Sequence, residues 1–393
     1  MNIKHKTTLK NPMLVVFFIA MGFIFNLDVS RAREIDDYGL YDLNNNSGKP
    51  AVIFIHGWND HPAAWIPISR ELALYSRFMD DYHVYTFTFN SLDPIMDDGK
   101  LLKDEINNAG ITKPYIVAHS MGGLIARSYV TQGGELAKLV TLGTPHRGAS
   151  TSLCGPWSPI SSVQDMCEKT DFIKDLNDNT IDIAHRHLYV LWGGEKEDLQ
   201  QDDGETNLPS TWLCQSLAKT DCDQKWRYNR VFEYQYKKLK DIISLVKKDT
   251  PPYCGMSGQE IKCGQLDERW FTACGYTCDN KVSERYYIEL EHAQLKDANL
   301  NPDIVAYLAY QLPYLRTKNA AIQGHNKVQL INVTPADCAK ACNERTDFTC
   351  KSFDYHKDAR KCDLSDKRAS DVSGGLKTGY HNNPYDHYSK DLP

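Results

Sequence analysis

The sequence predicts an α/β fold: a doubly wound, mostly parallel sheet broken by disulfide-bearing insertions, followed by a small α+β unit. Three observations carry this reading. Apolar runs of strand length alternate with helical patterns from Ala51 to Leu142. One of those runs, Tyr115-Ile116-Val117-Ala118-His119-Ser120-Met121-Gly122-Gly123, passes through a turn of small residues straight into a helix-forming stretch. The cysteines all fall after residue 150 and close up into a tight set near the C-terminus.

A chain of 393 residues is long for one average domain, so two are expected. A net charge of -6 gives no sign of nucleic-acid binding, and 22 Tyr with 7 Trp exclude disorder for most of the chain. Residues 1–32 read as a signal peptide. Lys4, Lys6 and Lys10 precede the apolar run Met13 to Phe25, and Ser30-Arg31-Ala32 offers small residues for cleavage. That run is short for a bilayer span, and no later segment is apolar enough to cross one, so an exported, extracellular protein is expected. An oxidising compartment makes disulfides the default for Cys154, Cys167, Cys214, Cys222, Cys254, Cys263, Cys274, Cys278, Cys338, Cys342, Cys350 and Cys362. With no Cys-x-x-Cys pair and no histidine at ligand spacing from these cysteines, neither a metal nor any other cofactor is expected.

Taken in order, a polar lead-in (Asn44 to Gly48) gives way to Pro50-Ala51-Val52-Ile53-Phe54-Ile55. Such a continuous apolar run is the mark of a strand buried on both faces. His56-Gly57-Trp58-Asn59 ends it, and Ile66 to Tyr75 has a helical pattern. Tyr82 to Phe89, rich in β-branched and aromatic residues, is the next strand, and Leu101 to Ala109 the next helix. The strand and helix around Ser120 follow, then a strand at Lys138 to Leu142. The pattern loosens from Ser150 to Ile183, resumes at His187 to Trp192, and loosens again over about Cys254 to Cys278. The first of these insertions is a candidate lid by its position beyond the carboxyl ends of the strands. Arg285 to Leu290 is the last strand before a closing helix that Asn301-Pro302 starts and Leu312 ends.

The turn at Ser120 is a strand–elbow–helix. Strand and helix nearly touch there, so only small residues fit two places before and after the serine, and Ala118 and Gly122 occupy them. Acyl transfer needs a nucleophile, a base oriented by an acid, and amide donors for an oxyanion. Ser120 is the candidate nucleophile, with the backbone amides of Trp58 and Met121 as oxyanion donors. His292 fits the base because it follows the last strand; His119 neighbours the nucleophile and is expected to point away. The acid should lie in the carboxylate-rich loop after Trp192, where Asp198, Asp202 and Asp203 all qualify; Asp203 is preferred because Gly204 gives it a turn.

These motifs, with Leu142-Gly143-Thr144-Pro145-His146-Arg147-Gly148-Ala149, resemble the lipase/esterase branch of the α/β-hydrolases over Ala51 to Leu312. Asp202-Asp203-Gly204 is similar to the acid turn of such lipases, and Glu291-His292-Ala293-Gln294-Leu295 to their histidine loop. Ala118 stands where most members have Gly. The resemblance implies a doubly wound α/β-hydrolase domain over 33–315 and a secreted serine ester hydrolase for lipid or other acyl esters. Peripheral contact with a lipid interface would accompany it. The same triad would also serve an acyltransferase or thioesterase.

The remainder, 316–393, begins with a small polar segment. In it Thr334 caps a helix that Pro335 enters, with Asp337 at the capping-box position, and Cys338 and Cys342 share one helix face. With Cys350-Lys351-Ser352-Phe353 and Cys362-Asp363-Leu364-Ser365, this segment resembles a PAN/apple module. The resemblance implies Cys338–Cys362 and Cys342–Cys350 pairing and a protein or glycan ligand. An adhesin-like protein with a vestigial hydrolase domain is the reading from a different class.

Overall fold

A computed structural model describes residues 38–149, 154, 160–194, 208–216, 254–257, 260–263, 276–288, 290–381 and 384–390. The expected signal peptide therefore lies outside the described residues. Seven strands form the main sheet: β1 (Gly39–Asp42), β2 (Ala51–Ile55), β3 (His83–Thr88), β4 (Tyr115–His119), β5 (Lys138–Leu142), β6 (Tyr189–Gly194) and β7 (Glu284–Ile288). Their spatial order is β1-β3-β2-β4-β5-β6-β7, all parallel except β1, which runs antiparallel along β3. Strands β2 to β6 are buried along their whole length, as strands covered on both faces of a parallel sheet are.

Alternate side chains feed two cores. Ile53, Ile55, Ile116 and Ala118 pack with the helices Ile95–Asn108 and Met121–Thr131 on one face. Val52, Phe54, Val117 and Val140 pack with helix Ile66–Tyr75 and the closing helical segment on the other. The chain leaves β2 for β3, then returns to place β4 on the far side of β2. The winding direction thus reverses between the carboxyl ends of β2 and β4, the place where such sheets carry their sites.

Some elements differ from expectation. The edge strand β1 was not foreseen, because four half-exposed residues carry little pattern. The second helix begins at Ile95 and not Leu101. Its first turn holds Asp97, Asp98 and Gly99, a polar, glycine-bearing start that masks the helix; a Cβ on Gly99 would sit 2.6 Å from Ser128 Cβ, so glycine lets the two helices touch. The last strand runs from Glu284 to Ile288, and the closing helix turns from α-helical (Pro302–Ala306) to π-helical (Tyr307–Gln311).

The C-terminal unit is a five-stranded antiparallel sheet of β8 (Tyr314–Thr317), β9 (Val328–Ile331), β10 (Ser352–His356), β11 (Lys361–Ser365) and β12 (Tyr385–Lys390), in the order β8-β12-β10-β11-β9. Helix Pro335–Asn343 covers one face and starts with the expected box: Thr334 accepts from the Asp337 amide, and Asp337 from that of Thr334. Cys338–Cys362 and Cys342–Cys350 are both formed.

This unit is fixed to the amino-terminal ends of the main strands. Lys138, the first residue of β5, is buried and donates to the Tyr307 hydroxyl (3.2 Å) and to the Tyr314 carbonyl. Arg316 and Lys318 reach the carbonyls of Ser283 and Val282 beside β7, and Asn343 donates to the Tyr310 carbonyl. Ser120 follows the opposite end of β4, so the depth of the sheet, roughly 16 Å for five residues, separates the junction from the elbow.

Desolvation lowers Lys138 to about 8, with only Glu284 opposing. The folded chain then binds fewer protons than the unfolded chain between about pH 8 and 10.5, so Lys138 makes stability rise with pH across that window. The Lys138→Met variant should lack this rise. Urea unfolding should show the wild type gaining on the variant by on the order of 2–3 kcal/mol from pH 7.5 to 10.5. A constant difference would show that burial at this junction does not lower Lys138.

Candidate active site

Ser120 lies between β4 and helix Met121–Thr131 with φ 53° and ψ -127°. A residue with a Cβ is held there only when its surroundings enforce the conformation. They do so through the backbone: the Ser120 amide donates to the Leu142 carbonyl (2.9 Å), and its carbonyl accepts from Thr144 Oγ1 (2.8 Å) and the Gly123 amide (3.1 Å). The Gly-Thr-Pro-His turn after β5 therefore holds the elbow. A Cβ on Gly122 would lie 2.5 Å from the His56 carbonyl oxygen, and Ala118 is fully buried. The elbow is pressed against the end of β2, and a larger residue at either place would part them.

The loop after β2 meets Ser120 directly. A Cβ on Gly57 would lie 2.9 Å from Ser120 Cβ and 3.0 Å from His119 Nδ1. His56 stacks on Phe89 at 4.3 Å and its Nδ1–H donates to the Gly57 carbonyl at 2.9 Å. Burial lowers its pKa to about 4, so this pin is neutral at physiological pH. Trp58 follows, its ring partly buried against the core below the elbow. Met121 is the first residue of the helix, where a backbone N–H has no partner within the helix. Among the described residues, neither the Trp58 nor the Met121 amide donates to another backbone group.

His292 opens a short 3-10 helix, His292–Lys296, fixed by a reciprocal box between Glu291 and Gln294. The structure brings this segment to the elbow from 172 positions further along the chain. His119 does not point away from the site: its Nε2 donates to the His292 carbonyl at 3.0 Å, and the two rings lie 4.7 Å apart. Lys296, one turn on, forms an ion pair with Asp60 of the loop after β2. The strand end that carries Ser120, the candidate oxyanion loop and the His292 segment thus contact one another. Asp198, Asp202 and Asp203 lie outside the described residues; β6 ends at Gly194, at the carboxyl pole that holds Ser120.

Charge is also buried beneath helix Met121–Thr131. Arg127, fully buried, grips both carboxylate oxygens of Asp182 at 2.8 and 2.7 Å, and Arg186 and Tyr189 complete the shell around that carboxylate. Burial alone would push Asp182 up, but Arg127 and then Arg186 hold it below the usual carboxylate range. The network ties helix Met121–Thr131 to the first insertion, which Cys154–Cys167 closes; Ser162 of this insertion donates to the Ser91 carbonyl in the loop after β3, and Asp165 accepts from the Ile95 amide at the start of the next helix. Cys214–Cys278 closes the second. Cys254 and Cys263 are register partners in a small hairpin, whereas Cys222 and Cys274 lie outside the described residues. Among the described residues, no cluster of three or more His, Cys, Asp or Glu is placed to hold a metal ion, and no helix is long and apolar enough to cross a membrane.

The sequence reading missed His119, Asp60 and Lys296 as parts of this arrangement. Only the short spacing of His119 to Ser120 and of Lys296 to His292 could have signalled it.

Residues 47–210 match the model of the PGAP1-like alpha/beta domain, and residues 313–392 that of the PAN domain. The chain therefore joins an α/β-hydrolase domain to a PAN domain. No curated protein matches it. Solved structures similar to it include the mature lipase BlEst2 of Bacillus licheniformis (14% identity over 70% of this chain and 98% of that one, TM-score 0.35). Others are the phospholipase PlaB of Legionella pneumophila (18% identity, 42% and 45%, TM-score 0.34) and lipase B of Aspergillus fumigatus (16% identity, 40% of each, TM-score 0.33).

The contact at Gly57 yields a test that leaves every polar group in place. Gly57→Ala should displace Ser120 or the loop, lowering kcat/KM for ester hydrolysis by about 100-fold, as an ångström of misplacement does. Its Tm should stay within a few degrees of wild type. Undiminished turnover would show that the loop and Ser120 do not depend on this contact.

Proposed function

We propose that this α/β-hydrolase is an exported serine ester hydrolase that cleaves lipid or other acyl esters. The observation that carries the proposal is the strained Ser120 elbow at the sheet's switch point, with Gly57 against its Cβ and the His292 segment bonded to the residue before it. In this mechanism Ser120 Oγ attacks the acyl carbonyl while His292 takes its proton. The proton then goes to the leaving alcohol as the tetrahedral intermediate collapses to an acyl-enzyme. Water, activated by the same imidazole, releases the acid and restores Ser120. The amides of Trp58 and Met121 receive the oxyanion, each worth roughly 3 kcal/mol in comparable sites. A carboxylate of the loop after β6, with Asp203 preferred over Asp198 and Asp202, orients His292. No step calls for a cofactor or metal.

Residues 1–32 serve as the export signal in this reading, 33–315 as the hydrolase domain and 316–393 as a module for a protein or glycan ligand. Four disulfides among the described residues and the PAN domain suit an oxidising, extracellular setting. Because the module is fixed at the pole opposite Ser120, it acts as a tether and leaves substrate choice to the insertions. The first insertion, Cys154–Cys167 included, is proposed as a lid, which would bring peripheral contact with a lipid interface.

The test is a series of p-nitrophenyl esters of rising acyl length, wild type beside Ser120→Ala. Wild type should show a chain-length optimum, and Ser120→Ala should lose at least about 1000-fold at every length. Flat, Ser120-independent rates would overturn the proposal.

A further inference from the structure

The proposed mechanism leaves one buried histidine at the elbow unused. His119 is 4% exposed, and burial first, then the neighbouring His292, holds it well below the ordinary histidine range. Its Nε2 is within 3.0 Å of the His292 carbonyl, so Nε2 carries the proton. In the neutral ring Nδ1 is then the bare nitrogen, and it has no hydrogen-bond partner among the described residues. A buried polar atom without a partner is costly and needs a reason. Here one nitrogen makes a bond that spans 173 residues while the other is boxed in by Gly57, whose Cβ, if present, would lie 3.0 Å away.

We propose that His119 is a positioning residue for the base: it fixes the main chain of His292 to the end of the strand that carries Ser120. This rests on the reading of Ser120 and His292 given above. Because His119 immediately precedes the nucleophile, any displacement of the elbow moves the anchor of the base with it. The base–nucleophile spacing is then set by one hydrogen bond and not by the 172-residue path between them. Neutrality belongs to the role. His292 must take up a proton in each half-reaction, and a cation 4.7 Å away, ring to ring, would oppose it. Asp60–Lys296 holds the same segment from the other side, so the loss of His119 loosens the base without releasing it.

Three replacements separate positioning from packing. Gln at 119 can present an amide N–H where the histidine Nε2 lies, Met keeps the bulk without a donor, and Asn carries a donor too short to reach. For a p-nitrophenyl ester, His119→Gln should keep kcat within about 5-fold. His119→Met and His119→Asn should lower kcat by about 10- to 100-fold with KM within about 2-fold, since misorientation of a general base acts on the chemical step. If Met fails to fold, as judged by near-UV circular dichroism and Tm, the Gln–Asn pair decides. Equal kcat for Gln and Asn, or wild-type kcat in a folded Met variant, would overturn the positioning role. His292→Ala serves as the reference. An active His292→Ala variant would take down the triad itself, whereas an inactive one beside an indifferent His119 would take down this inference alone.

Discussion

Everything at the carboxyl pole depends on the absence of space between the end of β2 and the turn at Ser120. Gly57 and Gly122 let two backbone segments meet at a distance that no side chain permits. That closeness holds Ser120 in a conformation that would relax elsewhere, and it aligns the strand end carrying Trp58 with the helix start carrying Met121. Strain at a serine is stable only where the surrounding contacts outweigh it. Here they are the Leu142 carbonyl, the Thr144 hydroxyl and the two buried faces of the sheet.

The polar groups of the interior follow from that constraint. The helix that follows Ser120 must stay pressed on the sheet, and Arg127 secures it with a paired, fully enclosed guanidinium. Removing the carboxylate of such a pair would leave a buried charge uncompensated, at about 3–5 kcal/mol. The same pair fastens the first insertion, so the segment proposed as a lid is rooted in the helix that follows Ser120. At the other pole Lys138 and the Arg316–Asp386 pair lock the PAN domain against the starts of β5 and β7. The candidate site and the PAN domain thus lie at opposite ends of the main strands, separated by the depth of the sheet.

Much of this was legible in the residues. Short runs rich in apolar, β-branched and aromatic residues, bounded by turn residues, made β2 to β6 readable; the small residues around Ser120 announced the elbow; Thr334, Pro335 and Asp337 announced the capped helix. What was not legible has physical reasons. β1 is a half-exposed edge, and an edge strand needs no alternation to pair. The helix at Ile95 opens with acidic residues and a glycine whose purpose, contact with Ser128, is visible only in three dimensions. The contact of His119 with the His292 carbonyl uses a backbone acceptor, which any residue supplies, so only the place of His119 beside Ser120 hinted at it. The choice among Asp198, Asp202 and Asp203 was not legible because they share one carboxylate-rich loop and one chemistry.

The most direct test of the account is to ask which atom becomes acylated. Brief incubation with a fluorophosphonate, followed by intact-mass measurement and peptide mapping, should give one adduct per chain, on the peptide holding Ser120. The same treatment of His292→Ala should give an adduct only slowly. A single adduct on another residue, or equal labelling with and without His292, would contradict the claim that the elbow at Ser120 and the segment bonded to it form one catalytic unit.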